Sequence, residues 1–279
     1  MTKFNVCLIK PENYIHSYAF LELGELLYFS LKELGFEAGI DFNRIEPSQK
    51  NILIGCHLLN PNLIPQLPAT TIVLNTEQIS SDQSPLNEAL FPWVHAFEVW
   101  DYSKRNIEKL NEVGISRVKH FQIGFQNELA RLQKQEDKDI DVLFYGCINE
   151  RRKYILDKLV EKGLKVKTLF GVYGKERDEW VTRSKVVLNL HFYNSEIFEI
   201  VRVFYLLTNS IAVIGEVNKT TSIDAIYSDG IFTASYDELV EKCMEVVASE
   251  VLRKNISESA IASISKYPQR IFTEKLLSL

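Results

Sequence analysis

Two arginines follow a glycine in the segment YGCINERR (145–152), an arrangement that suits an anion. Gly146 allows the backbone to turn tightly, and the helix predicted behind it offers unpaired N–H groups and a partial positive charge. The guanidinium groups of Arg151 and Arg152 would add forked donors that fit phosphate oxygens. The segment therefore indicates a phosphate site, or else an ordinary strand–helix turn with two solvated arginines. It lacks G-x-G-x-x-G, the nicotinamide dinucleotide fingerprint.

A second group of charged residues lies in the segment LNLHFYNSEIFEIVRVFYLLTN. We predict a helix over about 195–207, capped by Ser195. Glu196, Glu199 and Arg202 recur at intervals of three and would share one broad face of this helix. The other side chains are almost all apolar, which predicts burial, and buried carboxylates need partners. Two interpretations stay open: a Glu199–Arg202 pair that satisfies itself, or carboxylates that bind a ligand.

Single polar residues also follow predicted strands. His191 stands just past KVVLNL, Glu77 follows TIVLN within NTEQ, and His16 lies in the loop after the first strand; His57 and His120 end strands likewise. Each is either a ligand-facing group or a turn, capping or hydrogen-bonded structural residue. No G-x-S-x-G, H-E-x-x-H or Walker sequence occurs, which removes the common hydrolase, zincin and NTPase motifs.

These segments belong to an alternation of short β-branched runs and amphipathic stretches, typical of βα units. Strands are predicted in FNVCLI, EAGIDF, NILIG, TIVLN, FEVW and VKHF, and then in DVLFYG, LKVKTLF, KVVLNL and IAVIG. We predict an α/β fold of two Rossmann-like domains facing a central cleft: an N-terminal domain (1–128), a polar linker (129–138) and a C-terminal domain with the last helices (139–279). Ligands of open parallel sheets bind at the carboxyl ends of the strands, where the polar residues above are expected.

Composition narrows the class of protein. The 279 residues are 46% hydrophobic and 25% charged, as in globular proteins, and the net charge is −5 without a basic run, so we expect no nucleic-acid partner. No window approaches the roughly 18 apolar residues of a membrane span, and the apolar start is too short for a signal peptide. We therefore expect a cytoplasmic protein without membrane insertion. Cys7, Cys56, Cys147 and Cys243 lie far apart, which predicts reduced cysteines and no metal site.

The block DVLFYGCINERRKYIL, followed by VLNLHFYNSEIFEIVRVFYLLTNSIAVIGE, resembles the C-terminal half of GT-B glycosyltransferases. The likeness is greatest to a bacterial group of small family-1-type glycosyltransferases, and NTEQ and WDYSKRNIEKL resemble the N-terminal domain of that group. The resemblance implies metal-independent transfer of a sugar from a nucleotide-sugar, with no further cofactor, to a glycan or other hydroxyl acceptor, as in polysaccharide biosynthesis.

The resemblance also implies roles for particular residues. As the group that activates the acceptor hydroxyl, His16 and Glu77 are the candidates, and Glu199 is a third catalytic candidate. The donor would be bound by Gly146, Asn149, Arg151, Arg152, His191, Tyr193, Glu196 and Arg202.

One glutamate of the family pattern is missing. Many relatives have two glutamates eight positions apart; with Asn209 in place of the usual glycine, Glu196 matches the first and Phe204 stands at the second. Either Glu199 replaces one of them or donor recognition differs. The missing glutamate favours the alternative of a non-catalytic GT-B-like protein that binds a nucleotide or glycan. A solute receptor of the periplasmic type is disfavoured, because we find no signal peptide.

Overall fold

The computed structural model describes residues 2–79, 85–133, 135–193 and 196–278. For 85–87 it describes the backbone only. The chain divides into two compact units, one of Met1–Gln126 with Tyr267–Leu279 and one of Asn127–Lys266. Each unit is built on a parallel sheet with helices, which confirms the predicted α/β class with two Rossmann-like units.

The strands are β1 (Lys3–Leu8), β2 (Glu37–Phe42), β3 (Lys50–Ile54), β4 (Ile72–Asn75), β5 (Glu98–Asp101), β6 (Val118–His120), β7 (Ile140–Tyr145), β8 (Val166–Leu169), β9 (Ser184–Asn189), β10 (Val213–Glu216) and β11 (Phe232–Ala234). The helices are α1 (Leu21–Glu33), α2 (Pro85–Ala96), α3 (Lys104–Glu112), α4 (Glu150–Glu161), α5 (Gly174–Thr182), α6 (Ile200–Thr208), α7 (Leu239–Ala248), α8 (Glu250–Ile264) and α9 (Gln269–Leu277). Short 3-10 helices cover Ile15–Phe20, Cys56–Leu58, Pro61–Gln66, Asn127–Leu129, Ala225–Gly230 and Tyr236–Glu238. Every strand predicted from the sequence is confirmed, while β11 and α2 were not predicted.

In the first unit the strand order is β2-β1-β3-β4-β5-β6, and all the pairs are parallel. Consecutive residues of β1 and β3 are buried, because both faces of a parallel sheet are covered. Where β5 ends, Ser103 caps α3 with its side chain, as its position before the helix predicts.

The last helix, α9, belongs to the first unit, so its predicted place in a C-terminal domain (139–279) is wrong. It packs on α1, where the hydroxyl groups of Ser30 and Thr273 lie 2.8 Å apart in a buried contact. Gln269 accepts a hydrogen bond from the backbone N–H of Gly124 at 2.6 Å. These contacts lie far from α9 in sequence, and its amphipathic pattern does not identify its partner.

In the second unit the order is β11-β10-β9-β7-β8, again with parallel pairs. The predicted linker is packed on this unit as far as residue 132, because the side chain of Asn209 binds the backbone of Leu129, Arg131 and Leu132 at 2.8–2.9 Å. Within the described residues, no helix has the length and apolar character needed to cross a membrane.

The helix predicted over 195–207 begins five residues later, at Ile200. Glu196 has a φ of +46°, which is incompatible with an α-helix, and Ile197 forms an isolated parallel bridge with Ser222. The predicted cap, Ser195, lies outside the described residues. Glu196 therefore does not share a helix face with Glu199 and Arg202, and that prediction is wrong.

Candidate functional site

The carboxyl ends of β7, β9 and β10 bring most of the predicted donor-binding residues together. Gly146 directly follows β7 and has a φ of +130°, a conformation that favours glycine. A Cβ atom at this position would lie 3.2 Å from the guanidinium group of Arg202. Arg202 donates from Nη1 to the carbonyl oxygen of Tyr145 at 2.9 Å. The predicted glycine turn is thus packed directly against an arginine of α6.

Asn149 caps α4: its side-chain oxygen accepts from the backbone N–H of Arg152 at 3.0 Å, and its Nδ2 donates to the carbonyl of Phe192 at 3.0 Å. Tyr193, half-buried, packs edge-on against Phe192 with ring centroids 4.9 Å apart. These contacts tie the segment after β9 to the first turn of α4.

Arg151 is held by Glu216, which is the last residue of β10 and is fully buried. Nη1 of Arg151 lies 2.7 Å from Oε2 of Glu216, and Nη2 contacts Oε1. The guanidinium group also lies 4.0 Å from the ring centroid of Tyr236. Burial would raise the pKa of Glu216, but the hydrogen bond from Arg151, together with His191 and Asn218, outweighs it and the pKa lies below the usual value. No sequence pattern pointed to Glu216, although it directly follows the predicted strand IAVIG.

Arg152 is only 2% exposed, so the interpretation of a solvated arginine is wrong for this residue. It donates to the backbone carbonyl oxygens of Cys147 at 2.8 Å, His191 at 3.3 Å and Leu190. Its Nη2 lies 3.3 Å from Oε1 of Glu199. Burial, followed by the charge of Arg202, lowers the pKa of Arg152 to about 10. Arg152 therefore binds the strand ends and loops to one another.

Glu199 is buried just before α6, and its partners are not the predicted one. Oε2 accepts from Nδ2 of Asn189 at 2.9 Å and lies 3.5 Å from Nδ1 of His191, while Oε1 contacts Arg152. Burial would raise the pKa of Glu199, but His191 and the nearby arginines keep it below the usual value. The predicted Glu199–Arg202 pair is therefore wrong, since Arg152 takes that place.

His191 and Glu196 complete this edge of the sheet. The backbone N–H of His191 donates to Glu216 at 3.0 Å, and its Nε2 lies 3.1 Å from Oγ1 of Thr221. Glu196 accepts from Nδ2 of Asn218 at 3.1 Å and from Thr220. Both residues were predicted to bind the donor. The loop that follows β10 joins them to the site through Asn218, Thr220 and Thr221.

In the first unit, the carboxyl edge has a different composition. His16 lies in the 3-10 helix after β1, where its ring contacts that of Tyr14 with centroids 5.3 Å apart. Glu77 follows β4 with a fifth of its side chain exposed, and its Oε1 lies 3.6 Å from Nε2 of the buried His57. Asp101, at the end of β5, is fully buried, and burial raises its pKa to about 7.

No family model matches the chain. Two uncharacterised proteins of Acanthamoeba polyphaga mimivirus are each 26% identical to it, over 81% and 74% of this chain. The chain spans only 31% and 23% of the length of these relatives.

Solved structures match the chain over its full length. Phage T4 BGT in complex with its UDP-glucose substrate has a TM-score of 0.64 at 13% identity, with 100% of both chains covered. The DNA modifying enzyme β-glucosyltransferase gives 0.64 at 14%, and Anabaena HepE in complex with UDP gives 0.58 at 11%, both with full coverage of both chains. These neighbours are GT-B glycosyltransferases, and the likeness shows that the present chain has the GT-B fold.

Proposed function

We propose that the chain transfers a glycosyl group from a nucleotide-sugar donor to a hydroxyl group of a glycan or another acceptor. The main support is the carboxyl edge of the second sheet, where the Gly146 turn, the start of α4 and three arginines lie together. Phosphate groups are commonly bound by such combinations of helix N-termini and guanidinium groups. Neighbours of the same fold hold UDP or UDP-glucose.

The contacts of Arg151, Arg152 and Arg202 support different roles for these residues from those that the sequence implied. Arg152 is buried and bonded to carbonyl oxygens, and Arg151 is paired with Glu216. Arg202 is half-buried, donates to Tyr145, and forms no ion pair with any residue that the structure describes. The charge of Arg202 lowers the pKa of Glu199, but without an ion pair to a described residue its guanidinium group can still gain from an anionic ligand. We therefore assign the main contact with the donor diphosphate to Arg202, and a scaffold role to Arg152.

We assign the role of the base that takes the proton of the acceptor hydroxyl to Glu77 rather than to His16. Glu77 follows a central strand of the first sheet and has a partly exposed carboxylate. In a single displacement, the acceptor oxygen would bond to the anomeric carbon as its proton passes to the Glu77 carboxylate. The bond from the anomeric carbon to the diphosphate oxygen would break, and its electron pair would leave with the nucleoside diphosphate. Positive charge beside the diphosphate would stabilise that leaving charge.

We further propose that transfer needs no divalent metal. Among the described residues, no group of three or more His, Cys, Asp or Glu side chains is placed to hold an ion. Arginines and helix N–H groups can instead neutralise the diphosphate. The metal requirement needs a direct test, because a structure of phage T4 BGT in complex with UDP and Mn²⁺ has been solved.

A second candidate function is nucleotide or glycan binding without turnover. It is favoured by Phe204, which occupies the position of the family's second glutamate and is fully buried in α6. A screen of UDP-, GDP- and CMP-sugars, with glycan and DNA acceptors, separates the candidates. Thermal stabilisation with release of the free nucleotide (UDP, GDP or CMP, according to the donor) supports transfer, and stabilisation without release supports binding alone. If no nucleotide stabilises the protein, the donor site is refuted.

A further inference from the structure

We propose that His57 is a positioning residue, which holds the carboxylate of Glu77 in place by donating from Nε2. Nε2 of His57 lies 3.6 Å from Oε1 of Glu77. This distance is slightly longer than a hydrogen bond, as is common for catalytic contacts before the substrate binds. The inference rests on the proposed function, because it assigns a role to a neighbour of the proposed base.

Hydrogen bonds with the side chains of Asn75 and Asn106 hold the backbone of Glu77 in place. Its N–H donates to Oδ1 of Asn75 at 3.0 Å, and its carbonyl oxygen accepts from Asn75 and Asn106 at 2.9 and 2.8 Å. Both amides also donate to the buried carboxylate of Asp101, at 2.7 Å and 3.1–3.2 Å. With the main chain held in this way, the position of the Glu77 carboxylate depends on its side-chain torsions. The Thr76 hydroxyl donates to Oε1 at 3.5 Å, and His57 contacts the same oxygen from the buried 3-10 helix after β3.

His57 is itself held rigidly. It lies in the 3-10 helix that follows β3, 5% of its side chain is exposed, and the ring of Phe20 packs edge-on with centroids 6.3 Å apart. Gly55, with a φ of +87°, allows this packing, because a Cβ there would lie 2.5 Å from the Phe20 ring. A group that orients a catalytic carboxylate needs a locked rotamer, which burial against an aromatic ring provides.

The protonation state of His57 suits this role. Burial lowers the pKa of His57 below its usual value, against the opposing charge of Glu77. A neutral imidazole donates one N–H without placing a full positive charge beside the base. A neutral Nε2–H of His57 can thus orient the Glu77 carboxylate.

The test uses two matched substitutions, His57→Gln and His57→Asn. The glutamine amide reaches the place of Nε2, whereas the shorter asparagine does not. We expect kcat of His57→Gln to stay within about threefold of the wild type and kcat of His57→Asn to fall about tenfold or more, because small displacements of a catalytic group reduce rates strongly. UDP affinity and melting temperature should be alike in the two variants. Equal kcat values for them would overturn the proposal.

A double-substitution cycle with Glu77→Gln adds a second criterion. If His57 acts through Glu77, His57→Asn should cause no further loss of kcat in the Glu77→Gln background. Equal fold losses in both backgrounds would refute the assignment. The contact itself is tested by ¹⁵N NMR of the imidazole in the whole protein, where we expect the Nε2–H tautomer near pH 7.5. An Nδ1–H tautomer would overturn the proposal even if no turnover is found, whereas failure of every nucleotide to bind would refute the proposed function alone.

Discussion

The two sheets place very different chemistry at their carboxyl ends. In the second unit, charged pairs dominate: Arg151 with Glu216, and Arg152 with Glu199. In the first unit, the buried carboxylate of Asp101 accepts hydrogen bonds from the amides of Asn75 and Asn106 and from the backbone N–H of Ser103. His191 and the nearby arginines hold the pKa of Glu199 low, and Arg151 does so at Glu216, whereas burial raises the pKa of Asp101.

This difference teaches how one type of fold can be adapted to two tasks. An edge crossed by arginines can neutralise an anionic leaving group, and its own carboxylates keep those arginines in place. An edge of amides around one buried carboxylate can hold a turn rigidly, here the turn that carries Glu77, for which we propose the role of base.

The largest effect is expected from Glu199→Gln. This substitution leaves the buried guanidinium of Arg152 without its carboxylate, and we expect the free energy of unfolding to fall by about 3 kcal/mol. Glu245→Gln is the matched control: Glu245 pairs with Lys242 at 2.8 Å on the surface, where such pairs contribute little to stability. Urea unfolding at pH 7 measures both variants. Similar losses in the two would show that the Arg152–Glu199 pair is not part of the scaffold.

The next prediction concerns pH and Asp101. Its pKa is raised to about 7 in the folded state from 3.8, so ionisation favours the unfolded chain and stability falls as pH rises between these values. From pH 5 to pH 8 this group should cost the wild type about 2–3 kcal/mol, and Asp101→Asn should lack that part of the dependence. Urea unfolding of both proteins at the two pH values gives the difference. Parallel pH profiles would contradict the assignment.

A smaller effect is expected at Arg202. Arg202→Met should weaken UDP binding by about 1–3 kcal/mol, because charge-assisted hydrogen bonds to phosphate are lost. Its melting temperature should fall less than that of Arg152→Met, since Arg202 loses one hydrogen bond to the Tyr145 carbonyl but no ion pair with a described residue. Arg152→Met is the comparison, with a large loss of stability expected. Calorimetric titration with UDP and thermal unfolding provide the measurements. If Arg202→Met binds UDP as tightly as the wild type, the phosphate contact must be made by other groups.

The smallest effect is expected from metal removal. If arginines neutralise the diphosphate, the rate of nucleoside diphosphate release should change by less than about twofold after treatment with EDTA. Assays with EDTA and with added Mn²⁺ or Mg²⁺ measure this. Strict dependence on either ion would assign charge neutralisation to a metal.

The sequence by itself determined the local elements and the positions of many candidate site residues at strand ends. Apolar β-branched runs fixed the strands, and the caps Ser103 and Asn149 mark the starts of α3 and α4. Gly146, with its positive φ, was placed at a strand end because glycine is favoured in that conformation. These features depend on residues a few positions apart, and their periodicity is visible in the chain.

Tertiary structure alone decided which charges meet. Arg151 pairs with Glu216, 65 residues away, because the parallel order β10-β9-β7 brings the carboxyl ends of these strands to one edge of the sheet. Arg152, rather than Arg202, pairs with Glu199, because α6 begins at Ile200 and places Glu199 before the helix. The energy of burying a charge depends on partners that long-range packing supplies, and helical spacing contains no information about them.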